Sequence, residues 1–466
     1  MENKISHSGV WHVDTRIETF AGQLHLDFES GYFTLELSIS ASSSLCDYLN
    51  SIKLRKIPLI LGDTYNGIRI SLVDCLILSS KHTNDEAARY TLHIDKVYIG
   101  IHLVTREQLF NCYQFKVPEL IKWSGLCKYN TDYLESEPAS LSIKWVSKQP
   151  VVIFIKDKLN IQISAHHGDT DWTMYDSEIN IMQYVQISLS YYEPCQIDQA
   201  ISDYMTFIKL VNIGCQDHLQ GNSFYCLYCE NCNENLDCAP IQVYIAQPRI
   251  VPNKTAFYEY LFTLNDLSKY PQVINNWYLK VEELSPVVNL YQQATQNQNL
   301  PVEIKFLTLV QALETFHSRF LSADYKQYKH RVEKALKIVP PDETDYYRTH
   351  LVPPTFTDEL RIKLVNRLSD LFLCDFQIVF KTMSDYLVPF DYIDRIVSTR
   401  NYLTHYNKDK QNLALNGAEL FDTLLCLRNV LEYYILREIG FPSTLTSYAV
   451  EKINRKIDNQ KRVYRS

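Results

Sequence analysis

No run of apolar residues in this sequence is long enough to cross a bilayer, which takes about 20 of them. The opening residues, MENKISHSGVW, hold no apolar stretch of the kind a secretory leader needs. There is no Walker phosphate loop, no Gly-x-Gly-x-x-Gly and no Gly-x-Ser-x-Gly, so nucleotide hydrolysis, Rossmann cofactors and serine hydrolysis lack support. Internal repeats and low-complexity tracts are also missing. Nor is there a basic excess: 46 Lys and Arg stand against 54 Asp and Glu, a net charge of −8. That argues against avid, non-specific nucleic-acid binding, although a small basic site still works in an acidic protein, because a bound phosphate senses only the local field. With neither leader nor span, no membrane association is expected and the cytoplasm is the expected location. The 12 cysteines then read as thiols or metal ligands rather than disulfides.

What is present points to an α+β multidomain chain. Its 466 residues exceed the size of one ordinary domain, and 46% hydrophobic with 21% charged residues suits soluble units with real cores. Up to about residue 195 the sequence alternates with period two, as in "GQLHLDF", "YFTLELSIS", "GIRISLVDCLIL", "RYTLHIDKVYIGIHL", "LSIKWV", "VVIFI", "LNIQISA" and "YVQISLSYY". This predicts an antiparallel sandwich or barrel-like sheet system. "IDQAISDYMTFIKLVNI" (197–213) switches to a helical period, and two strand-like runs, "SFYCLYC" (223–229) and "IQVYIAQ" (241–247), flank a Cys-rich hairpin at 215–238. From about 256 onward the pattern is helical. Long amphipathic segments at 302–321, 357–373, 389–407 and 414–440 describe a bundle, with a Pro-rich loop expected at 339–354. The expected division is a β-rich domain over 1–250, a connecting helical segment over 251–300 and a helical bundle over 301–466. The terminal basic residues Lys452, Arg455, Lys456, Lys461, Arg462 and Arg465 read as a solvated helix end or as an RNA-facing tail.

One helical stretch, "STRNYLTHYN" (398–407), breaks its own pattern. Ile393, Ile396, Val397 and Leu403 mark an apolar face, and at 100° per residue Arg400 falls near its middle. A charge facing a core is costly unless paired, so Arg400 calls for an internal carboxylate or an external anion. Glu314, in "QALETFHSR", is an available carboxylate on another helix, which gives a structural ion pair with an incidental histidine. The other reading is phosphate chemistry: arginine grips phosphate through parallel hydrogen bonds, and histidine moves protons near neutral pH. Asn401 can orient either group and shares a helix flank with His405. Arg400 and His405 lie five apart, roughly 140° around the helix, so they meet at one substrate only if the arginine curls round or a second copy faces the first.

Arg400-Asn401-Tyr402-Leu403-Thr404-His405 resembles the HEPN signature of an arginine, a polar residue and, after a short gap, a histidine. It sits on the penultimate long helix, where that family places it. "LVQALETFHSRF" resembles the opening helix of the ApeA-like HEPN group, and "GVWHVD", "AGQLHLDF" and "LIKWSG" resemble the β-rich domain that precedes it in those anti-phage abortive-infection proteins. The resemblance implies an endoribonuclease that cuts RNA, tRNA or mRNA, without metal, leaving a 2′,3′-cyclic phosphate and a 5′-hydroxyl. It also implies a homodimer or higher homo-oligomer in which two signatures line one cleft, and a β-rich domain that senses or regulates, with a phage protein as the trigger. Arg400 would then hold the scissile phosphate, His405 act as acid and base, and Asn401 orient them. Glu314, Thr404 and Tyr406 would support. Some HEPN enzymes carry a tyrosine two places after the histidine; here that place is Asn407, with Tyr406 adjacent to the histidine.

"CLYCENCNENLDC" offers Cys226, Cys229, Cys232 and Cys238 as a tetrahedral zinc set, with Cys215 and His218 as alternative ligands. Such a metal would be structural, stapling the hairpin, since four protein ligands leave no open position. The plain reading is that Cys226 and Cys229 are small buried residues of a strand. His166-His167, followed by Gly-Asp-Thr-Asp, reads as a polar turn after a strand. Two further functions stay open: a non-catalytic HEPN-fold protein that binds RNA or a nucleotide, and a zinc-stapled module that recognises a phage protein, with the bundle as dimeriser.

Overall fold

The computed structural model describes residues 4–13, 16, 18–52, 55–83, 87–134, 140–171, 180–216, 219, 223–227, 241–247, 260–297, 299–337, 339, 341, 344–352, 362–372, 390–406 and 408–442. The chain divides into two compact units. One comprises residues 1–212, 218–254 and 263–268, and the other 213–217, 255–262 and 269–466.

The period-two segments of the first unit form antiparallel strands. β1 (Lys4–Val13), β2 (Thr19–Asp27) and β3 (Tyr32–Ser40) are followed by α1 (Ser44–Ser51), β4 (Lys56–Thr64), β5 (Arg69–Thr83) and β6 (Ala87–Ile99). These strands pair in the ring β6-β3-β2-β1-β4-β5, and β5 pairs back to β6, so the sheet closes on itself. Closure leaves this half without a bare edge. The alternating residues Leu24, Leu26, Phe33, Leu35, Ile60, Ile70, Leu72, Leu92 and Ile94 fill the interior around Trp11, whose indole N–H donates to the Gly22 carbonyl at 3.1 Å. Gly62 is there because nothing larger fits: a Cβ would stand 2.1 Å from the Trp11 ring.

β6 is shared. Its first residues pair with β3, and Lys96–Ile99 pair with β14 (Ile241–Ile245), which carries the sheet onward. Beyond it come β13 (Ser223–Leu227), β7 (Phe110–Val117), β12 (Asn180–Cys195), β11 (Leu159–Asp171) and β10 (Val151–Ile155). β8 (Cys127–Leu134) and β9 (Ser140–Ser147) form a separate hairpin, entered through the short helix α2 (Ile121–Ser124), whose Trp123 is buried. One face of the extension is apolar: Tyr113, Phe115, Ile161, Ile163, Val185, Ile187 and Leu189 are all buried. The helix α3 (Ile197–Cys215) meets this half of the sheet, stacking Tyr204 on Phe115 with ring centroids 3.8 Å apart. Its buried Asp203 accepts bonds from Lys158 at 2.5 Å, the Tyr191 hydroxyl at 3.0 Å and the Gln199 amide at 2.9 Å, so the carboxylate is hydrogen-bonded on both oxygens. His166 and His167 correct an expectation: they lie on β11, not in a turn, because the strand runs on to Asp171 through an irregularity between His167 and Thr170.

After the short α4 (Leu264–Lys269), the second unit is helical among its described residues. Its helices are α5 (Gln272–Gln296), α6 (Val302–Phe316), α7 (Tyr325–Leu336), α8 (Thr344–Leu351), α9 (Leu364–Asp370), α10 (Phe390–His405) and α11 (Gly417–Glu438). α6 packs against both α5 and α11. The buried residues Trp277, Leu284, Tyr291, Phe306, Leu309, Leu313, Phe316, Leu427, Leu431 and Tyr434 form the core of the bundle. α8 corrects the loop expected at 339–354: Tyr347 and Leu351, four apart, are both buried, enough to fold one polar-looking segment into two helical turns. No described helix is long and apolar enough to cross a membrane.

Candidate functional site

α10 carries the arginine and histidine of the expected signature. Its core-facing residues are Ile393, Ile396 and Thr399, each at most 1% exposed. This corrects the reading of Arg400 as the centre of the apolar face. Thr399 takes that place because its hydroxyl is fully used: it donates to the Arg395 carbonyl at 2.7 Å and accepts from the Leu415 amide at 2.8 Å. A hydroxyl so satisfied can be buried at little cost. Arg400, one residue on, is half-buried at the margin of the face.

The expected tether between Arg400 and Glu314 does not form. Among the described residues Arg400 has no carboxylate partner; its guanidinium donates to Asn401 Oδ1 at 3.1 Å. A guanidinium still in contact with water needs no buried counter-charge. Arg395, one turn earlier on the same helix, is the contrast: it grips Glu419 with two bonds of 3.2 and 2.6 Å and so fastens α10 to α11. Tyr392 adds a second fastening, its hydroxyl donating to Thr423 at 2.6 Å, and burial pushes its pKa up.

The other signature residues crowd the helix end. Thr404 spends its hydroxyl on the Arg400 carbonyl at 2.7 Å, so it holds the helix and has no free proton to offer. His405 is the last helical residue and is exposed. Tyr406 follows with φ +51°, a left-handed conformation that terminates the helix, and its ring is in edge contact with Tyr402 at 5.7 Å. Tyr406 is 70% exposed. Arg400, Asn401 and His405 thus share the last two turns of one helix, with Arg400 and Asn401 in contact and His405 apart from both.

A buried network in the same bundle was not foreseen. His317 and Asp370 are both fully buried. His317 Nε2 stands 2.8 Å from Asp370 Oδ2, and Arg331 Nε lies 2.8 Å from each oxygen of that carboxylate. Arg367 Nη1 lies 3.2 Å from His317 Nδ1. These partners fit a neutral ring that donates from Nε2 and accepts at Nδ1. Burial holds the His317 pKa below the ordinary range, only partly opposed by Asp370. The signal was legible: His317 continues the buried stripe of Leu309, Leu313 and Phe316, and Asp370 lies four residues after the buried Asn366. Ionisable residues on core stripes of two helices ask for each other.

The metal set lies almost wholly outside the described residues. Cys229, Cys232, Cys238 and His218 are beyond them; Cys226 is on β13, and Cys215 is buried at the end of α3. Among the described residues no group of His, Cys, Asp or Glu is arranged to hold a metal ion.

Comparison with known families adds what geometry cannot. The family model of ApeA N-terminal domain 1 matches residues 6–277. The model of the Apea-like HEPN domain matches residues 307–445, which include α10 with Arg400, Asn401 and His405. No curated protein and no solved structure matches the chain. With a β-rich ApeA N-terminal domain followed by an Apea-like HEPN bundle, the chain belongs to the ApeA family.

Proposed function

We propose that the chain is a metal-independent endoribonuclease of anti-phage abortive-infection defence, with its chemistry at the end of α10. The observation that supports this most is the contrast along that helix: Arg395 is closed off by Glu419, while among the described residues Arg400 is held by Asn401 alone and His405 stands exposed at the helix end. An arginine with no carboxylate partner among the described residues is ready for phosphate.

In the proposed step the 2′-hydroxyl loses its proton to a histidine and its oxygen attacks the adjacent phosphorus. The bond to the 5′-oxygen breaks, and that oxygen takes a proton. The products are a 2′,3′-cyclic phosphate and a 5′-hydroxyl, with no change of oxidation state and no water consumed. Arg400 neutralises the charge that builds on the phosphoryl oxygens, and Asn401 fixes the guanidinium plane. Two copies of α10 facing each other supply both groups, which removes the angular separation within one helix. The matched N-terminal domain senses or regulates, a phage protein serving as the trigger, and tRNA or mRNA is the substrate.

The test is cleavage of a defined RNA in EDTA by the purified protein, alone and with phage lysate, followed by chemical mapping of the new ends. Cyclic-phosphate ends that vanish with both Arg400→Ala and His405→Ala support the reading. Undiminished cleavage by both variants overturns it, and tight RNA binding with no cut product favours a non-catalytic RNA-binding HEPN protein instead.

A further inference from the structure

The extended half of the sheet has an outer face unlike an ordinary solvated one. In "FNCYQFKV", "LNIQISAHH" and "YVQISLSYY" the alternate residues Tyr113, Phe115, Leu159, Ile161, Ile163, Val185, Ile187 and Leu189 are buried, and the residues between them point the other way. Strand register aligns those outer residues in rows across β11, β12 and β7: Asn160–Ser190–Cys112, Gln162–Ser188–Gln114 and Ser164–Gln186–Lys116. Of these residues only Lys116 is charged, in a chain where 21% of residues are charged. The rest are amides, hydroxyls and a thiol.

The face is also covered. Trp145 and Ser147 of β9, with Lys148 and the residues after it, wall a groove of about 600 Å³ over these rows. Ser164 and Ser188 are each only 6% exposed on its floor. The amides above them are left to bond elsewhere. Among the described residues Gln114 and Gln162 make no side-chain hydrogen bond, and Gln186 makes one, to Ser188 Oγ at 3.3 Å. Each such amide offers two donors and two acceptors. Among the described residues no carboxylate lines the groove. Lys148 does, and the Lys116 ammonium stands 4.9 Å over the Tyr184 ring at the end of one row. Trp145 lies in edge contact with His167, ring centroids 5.2 Å apart.

Amides with unused bonding capacity, an indole and the Lys148 ammonium form a set with a specific complement. Nucleobase edges carry the same alternating donors and acceptors as an amide, their rings stack on an indole, and their phosphates seek an ammonium. The volume lies in the usual range for small-ligand sites. We propose that this groove of the N-terminal domain binds a nucleotide, either free or as a unit of an RNA strand. The site is separate from the α10 signature and stands whether or not that signature cuts RNA.

The experiment is calorimetric titration of the full-length protein with AMP, GMP, CMP and UMP, with the four parent nucleosides, and with a labelled RNA tetranucleotide. Saturable binding of a monophosphate or the tetranucleotide, weaker by at least about tenfold in Gln162→Glu, supports the proposal, because the new carboxylate on the groove floor repels phosphate. Loss with Lys148→Ala supports it independently should Gln162→Glu lower the melting temperature. A tetranucleotide that outcompetes every monophosphate identifies a strand as the ligand; the reverse identifies a free nucleotide. No binding of any probe at millimolar concentration overturns the proposal. So does binding that both variants leave unchanged, binding that Arg400→Ala abolishes while they do not, or saturation by a Gly-Ser peptide alone.

Discussion

At the scale of single residues, the difference between Arg400 and His317 is one of solvent. Arg400 and His405 meet water, so removing either side chain costs little stability, within about 0.5 kcal/mol for surface sites. Arg400→Ala and His405→Ala are therefore expected to melt as the parent does while losing about 100-fold or more in RNA cleavage, measured by single-turnover kinetics. His317 is the opposite case. Its burial keeps the ring neutral when folded, with a pKa below the ordinary 6.5. The unfolded chain takes up that proton as pH falls through about 6.5, and the folded chain does not. Stability from this site is therefore complete above that pH and declines below it, until the folded pKa is also passed. Urea unfolding midpoints from pH 8 to pH 5 should fall on the acid side, and the fall should be shallower in His317→Gln. Asp370→Ala should be worse at every pH, by about 3–5 kcal/mol, since it strands Arg331 without its carboxylate.

At the scale of elements, the strands were legible because alternation is a short-range signal, and most strands here bury one face. α6, α10 and α11 were legible for the same reason at period 3.6. What failed was the assignment of rank within a stripe. Arg400 and Thr399 are neighbours, and the helical wheel alone cannot say which one faces inward; the hydrogen bond from the Leu415 amide, 16 residues away, decides it. The same holds for α8, whose two buried residues are hidden among polar ones, and for His166-His167, where strand pairing outvoted turn-forming residues. That Arg400, Asn401 and His405 share one helix was readable, but the absence of a Glu314 tether was not, because ion pairing depends on how two helices meet. Thr399→Val tests this assignment. It keeps the shape but leaves the Leu415 amide buried and unbonded, so the expected loss is about 1–3 kcal/mol in denaturant unfolding, whereas a solvent-facing threonine would lose almost nothing.

At the scale of the whole molecule, net charge and chemistry pull against each other. A chain of net charge −8 repels RNA at long range, so a productive complex must draw on a local cluster, and cleavage should weaken with added salt only as steeply as a few phosphate contacts require. The geometry of α10 narrows the arrangement further. If one copy supplies Arg400 and its neighbour His405 to each of two symmetric sites, an Arg400→Ala copy beside a His405→Ala copy rebuilds one site intact and leaves the other with neither group. Equal mixing of the two inactive variants, after exchange of subunits, then restores about a quarter of the parent rate, since half the dimers are mixed and each has one working site of two. If both groups act within one copy, the mixture stays as inactive as its parts, because each site lacks one of them. Measuring the rate of the mixture against each variant, at a concentration where sizing shows a single assembled species, separates a shared cleft from a self-contained one whatever the sequence of the test substrate.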